Sequence, residues 1–123
     1  MMSENLLFNF GLTFIIIHEM DAIRCKEWRI FPGLNLLGDK WGFIIFIVAH
    51  IPLLVILFIA LNNSLDNSIL IYYLEIFFIV HLALHIIYIK NPKNEFKDLI
   101  SWTFIVGPAL FGLLDIVLKA IKV

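Results

Sequence analysis

Apolar positions dominate the chain in runs rather than in alternation. The longest, Trp41–Leu65, spans 25 residues without a formal charge, and His50 and Pro52 are its main irregularities. A second run, Ser68–Ile89, is interrupted by Glu75, His81 and His85, and a third covers Leu99–Leu114 before Asp115 and Ile116–Leu118. The first, Asn5–Ile17, is short alone and reaches spanning length only if His18, Glu19 and Asp21 lie in or at the membrane. A hydrocarbon core ~30 Å thick takes about 20 helical residues at ~1.5 Å each. The pattern therefore predicts four spanning helices at about 5–24, 41–63, 68–90 and 98–118. Continuous rather than alternating runs exclude a transmembrane β-barrel. Short connections force sequential neighbours to be antiparallel. The expected fold is an all-α membrane protein, an up-down bundle of four transmembrane helices, with residues 1–123 as one integral membrane domain.

Punctuation supports these bounds. Pro32-Gly33 breaks the chain after the first helix, and Asn91-Pro92 is expected to end the third. Gly107-Pro108 sits in the fourth span and predicts a kink there.

Composition agrees with a membrane protein and removes alternatives. Hydrophobic residues make up 62% and charged residues 15% of the 123 positions, and mean hydropathy is +0.98. A soluble domain this small cannot bury so much apolar surface. A net charge of −1 provides no basic field for nucleic acid. One cysteine, Cys25, excludes an internal disulfide framework; its place near the cytoplasmic interface makes it a candidate for acylation. The segment before the first run has no basic residue and no small-x-small site follows it, so no cleaved signal is expected.

Basic residues orient the bundle. Arg24, Lys26, Arg29 and Lys40 fall between helices one and two, and Lys90, Lys93 and Lys97 between three and four, against Lys119 and Lys122 elsewhere. The positive-inside rule puts both loops in the cytoplasm and both termini outside. The localisation expected is a bacterial inner membrane, with the lipid bilayer as first partner. A homo-oligomer or a larger membrane partner stays open. Trp28, Trp41, Trp102, Tyr72, Tyr73 and Tyr88 fall near span ends, where aromatic anchors collect.

Ionisable residues at membrane depth are costly and mark candidate sites. At ~1.5 Å per residue, His50 and His81 each lie ~13 Å from the cytoplasmic end of their spans, His18 ~9 Å and His85 ~7 Å. All four histidines thus fall in one half of the bilayer. His81 and His85 are an i,i+4 pair on one helix face, able to grip one ion. His18 and Asp21 share a face at i,i+3. Glu19 and Glu27 point away from it and suit the role of a base better than that of a ligand. The candidate metal set is therefore His18, Asp21, His50, His81 and His85, with Glu19 and Glu27 as candidate catalytic groups. Nitrogen and carboxylate donors suit zinc or non-haem iron; calcium and magnesium prefer oxygen shells. In the outer half, Glu75 is expected to pair with a polar neighbour or carry a proton, and Asp115 to be interfacial.

The segment His18-Glu19-Met20-Asp21-Ala22, followed by Glu27-Trp28-Arg29, resembles a family of small, uncharacterised bacterial membrane proteins with four helices and an H-E-x-D-A…E-W-R signature. The resemblance covers most of the chain, including His50, His81 and His85, and implies no activity. The opening helix is also distantly similar to that of the HXXEE family, with Glu19 and Asp21 in place of paired glutamates. A weaker similarity links the H-x-x-x-H pair, a further histidine and an acid to intramembrane metal hydrolases such as alkaline ceramidases. Di-iron hydroxylases and desaturases use about twice as many histidines, so four support one mononuclear site. Three functions follow as expectations: a metal-dependent hydrolase acting on a lipid-like substrate, a non-catalytic accessory subunit, or a small metal or proton carrier.

Overall fold

The computed structural model describes residues 5–63 and 68–122. Residues 1–4, the predicted connection at 64–67 and residue 123 lie outside the described residues. Four helices carry the fold: α1 (Leu6–Arg24), α2 (Gly38–Asn63), α3 (Ser68–Ile87) and α4 (Leu99–Lys122). Two short 3-10 turns, Glu27–Arg29 and Leu34–Leu36, join α1 to α2. No strand occurs among the described residues. All four helices are long and apolar enough to cross a membrane, and the protein is an integral membrane four-helix bundle.

Helix bounds differ from expectation where turns intervene. The second helix starts at Gly38, three residues before Trp41. The third stops at Ile87, because the chain turns through residues 88–90 ahead of Asn91-Pro92. The fourth continues through Pro108 as one helix.

Packing is uneven. α4 is the central element, in extensive contact with both α1 and α3. Its buried residues include Ser101, Ile105, Gly107, Pro108, Ala109, Gly112 and Asp115, a stripe at helical spacing. Glycine permits the closest approach: a Cβ on Gly107 would lie 2.3 Å from Cδ2 of Phe14. By contrast, α2 buries only Gly42 and Phe46 among its described residues. Its remaining apolar surface suits a lipid surround, in which exposed hydrophobic side chains carry no penalty.

The loops between helices are built, not slack. Trp28 is 5% exposed, packed edge-on to Phe43 with ring centroids 5.4 Å apart and seated over Gly42, where a Cβ would come within 2.6 Å of its Cδ1. It is therefore an internal wedge rather than the interfacial anchor expected from its position. Arg29 donates to Asp39 through Nε at 2.8 Å and to Glu95 through Nη1 at 3.1 Å, tying both loops at one end of the bundle. Asn94, also buried, donates to the carbonyls of Tyr88 and Ile89 and accepts from the backbone N–H of Phe96. That turn directs Phe96, 1% exposed, into the bundle.

Candidate metal centre

The buried stripes of α1 and α3 carry the site. On α1 the buried residues are Phe8, Gly11, Ile15, His18 and Ala22; on α3 they are Ile71, Glu75, Phe78, His81 and His85. Steps of three and four keep each set on one helix face, so His18, His81 and His85 are drawn inwards by the apolar residues around them. Their ring centroids form a triangle with sides of 4.6 Å (His18–His81), 4.9 Å (His18–His85) and 4.6 Å (His81–His85). Phe96 covers the triangle, 5.4 Å from the His18 ring and 4.8 Å from that of His85.

Glu27 completes the cluster from the loop. After Cys25 the chain reverses through Lys26, which sits in the left-handed region at φ 51, and the next residue points back under the helices. Oε1 of Glu27 lies 3.0 Å from Nε2 of His85 and 3.7 Å from Nε2 of His18. Donor atoms of His18, Glu27, His81 and His85 all fall within 4.8 Å of one another. Burial pushes the Glu27 carboxyl up, but the imidazoles of His18 and His85 outweigh it and hold the group well below the usual carboxylate range.

Hydrogen bonding in the cluster is incomplete. Both ring nitrogens of His18 and Nδ1 of His81 are buried and have no hydrogen-bond partner among the described residues. Each such group costs about 1–3 kcal/mol when left unpaired. Three imidazoles and a carboxylate around one point form the donor set of zinc or non-haem iron sites, and a cation there would engage one nitrogen of each ring. The cluster can hold a metal ion. Beside it lies a cavity of ≈ 210 Å³, lined by Glu27, His81 and His85 on one side and by apolar residues such as Ile30, Phe31 and Leu84 on the other.

The other residues singled out by sequence go elsewhere. His50 pairs with Glu19: Nε2 is 2.9 Å from Oε2 of Glu19, and Nδ1 is 2.6 Å from the Phe46 carbonyl. This couples α2 to α1, apart from the triangle. Asp21 accepts from Nε of Arg24 at 2.7 Å and from Oγ of Ser101 at 2.5 Å. Arg24 continues to Asp98 at 3.0 Å, locking the end of α1 to the start of α4. Cys25 is 2% exposed, its Sγ 3.8 Å from Asp21 Oδ2, and burial raises its thiol pKa; it is closed to acylation in this fold. Asp115, expected at the interface, is 4% exposed and faces the bundle interior. No motif in the sequence marks Phe96; the Asn94 turn that directs it inward forms only in the fold.

These features define a class: a four-helix integral membrane protein with a His/Glu cluster able to hold a metal ion. Residues 4–122 match a family of unknown function (DUF6713), and the chain belongs to that family. No curated protein and no solved structure matches it.

Proposed function

We propose that this protein is a metal-dependent membrane hydrolase acting on a lipid-like substrate. His18, His81 and His85 would hold one zinc or iron ion, and Glu27 would serve as base. The observation that carries this reading is the convergence of three imidazoles, with unpaired buried nitrogens, beside an apolar cavity that Glu27, His81 and His85 line. A zinc ion held there would supply the Lewis acidity that activates water near neutral pH. Glu27 would take the proton from the attacking water and return it to the leaving group, so that an ester or amide gives a carboxylic acid and an alcohol or amine. Ile30, Phe31 and Leu84 receive the acyl chain, which enters sideways from the bilayer. Charge placement supports a cytoplasmic position for this end, since Arg24, Lys26, Arg29, Lys40, Lys90, Lys93 and Lys97 all lie near it in sequence. Both termini are then outside, in a bacterial inner membrane.

The test is fatty-acid release from a panel of acyl esters and N-acyl amides by the untagged, zinc- or iron-loaded protein in lipid nanodiscs. The wild type should cleave at least one class, and Glu27→Gln should retain the metal but not the activity. Metal-loaded wild type that cleaves none, or a Glu27→Gln variant that is fully active, overturns the reading. A second reading, a metal-holding accessory subunit without catalysis, draws on α2. Its largely exposed apolar surface suits a helix of a larger membrane partner or of a second copy as well as it suits lipid.

A further inference from the structure

At the other end of the bundle, two acids face each other across α3 and α4. Glu75 is 1% exposed and Asp115 4% exposed. Gly112 brings the helices together there: a Cβ on it would stand 3.3 Å from both Cβ and the carbonyl oxygen of Glu75. Asp115, three residues on, shares that face of α4 and is buried with Glu75 where the two helices meet. Lys119 Nζ lies 2.5 Å from Oδ2 of Asp115, and one ammonium compensates one carboxylate. Glu75 is left over, with its Oε1 buried and without a hydrogen-bond partner.

From this geometry we infer that Glu75 and Asp115 form a proton-binding site, separate from the histidine cluster, in which one exchangeable proton rests on Glu75. Asp115 is ionised and paired with Lys119, and Glu75, which has no such partner, is a neutral acid. An uncompensated carboxylate in a membrane interior is far less favourable than a protonated one. Among the described residues, the surrounding elements offer no other compensation. Lys122 stands farther along α4, Tyr72 and Tyr73 project outward from α3, and neither Leu6–Thr13 of α1 nor Ile51–Asn62 of α2 contains a titratable side chain. Lys119 is 44% exposed, so the route from solvent to Glu75 runs past Lys119 and Asp115. The bound species is a proton, and its uptake neutralises Glu75 without touching the imidazoles.

Infrared difference spectroscopy of the protein in lipid vesicles, in water and in deuterated water, tests this directly. At neutral pH the wild type should show one carbonyl stretch from a protonated carboxyl, shifted by deuterium and absent in Glu75→Gln. Lys119→Met, a change at the half-exposed rim, should add a second protonated-carboxyl component as Asp115 loses its counter-ion; this variant serves if Glu75→Gln does not fold. A spectrum without a protonated carboxyl, a band that persists in Glu75→Gln, a band insensitive to deuterium, or an unchanged band in Lys119→Met each overturns the proposal.

Discussion

Counted along the sequence from Trp41 and Lys90, His50 and His81 stand at matching depth, yet in the fold they occupy opposite situations. Both ring nitrogens of His50 are taken, one by the Phe46 carbonyl and the other by Glu19. Around His81 the reverse holds: three imidazoles crowd together, and three of their nitrogens have no partner among the described residues. The His50–Glu19 pair is complete as it stands and fastens an otherwise loosely packed helix. The cluster is incomplete without a cation or a set of polar partners. Satisfied nitrogens mark a structural histidine, and unsatisfied ones converging on a point mark a site.

That contrast can be broken by substitution. The largest effect is expected from His18→Ala, which removes the only imidazole that α1 contributes. Bound zinc or iron should fall to background in elemental analysis, with the helical content retained by circular dichroism. Next comes Glu27→Gln. If Glu27 is the base and orients His85, hydrolysis disappears while metal affinity drops by about 10–100-fold, as read from competition with a chelator. His50→Ala should act on stability alone: losing the partner of Glu19 costs about 1–3 kcal/mol in the thermal transition and leaves metal content unchanged. The His50→Ala/Glu19→Ala double variant should then be less destabilised than the sum of the singles, by a coupling of about 0.5–3 kcal/mol. The smallest effect is expected from Gly42→Ala. The new methyl pushes Trp28, and through it Glu27, so metal affinity should weaken by less than about 10-fold with a cost of about 1 kcal/mol in stability.

The helices were legible because spanning segments must be long and apolar, and the interruptions themselves stood out. The spacing of His81 and His85 likewise showed one helix face. Depth arithmetic was less informative, since it gives the height of a side chain in the bilayer and not its direction. For His50 that direction depends on how α2 leans against α1, which no local pattern encodes. Asp21 shares a helix face with His18, which on sequence alone places it in the metal set. Its partner Ser101 lies 80 residues on, and that contact exists only once α4 is packed. Glu27 looked remote from His18 because a continued helix points it away. The helix ends at Arg24 and Lys26 reverses the chain, which returns the carboxylate to the imidazoles.

The most direct test of the central claim is elemental analysis of three untagged proteins purified side by side in mild detergent: wild type, His81→Ala/His85→Ala and His50→Ala. Near-stoichiometric zinc or iron in the wild type and in His50→Ala, with none in the double variant, is the predicted result. Metal absent from the wild type, or retained by the double variant, contradicts it.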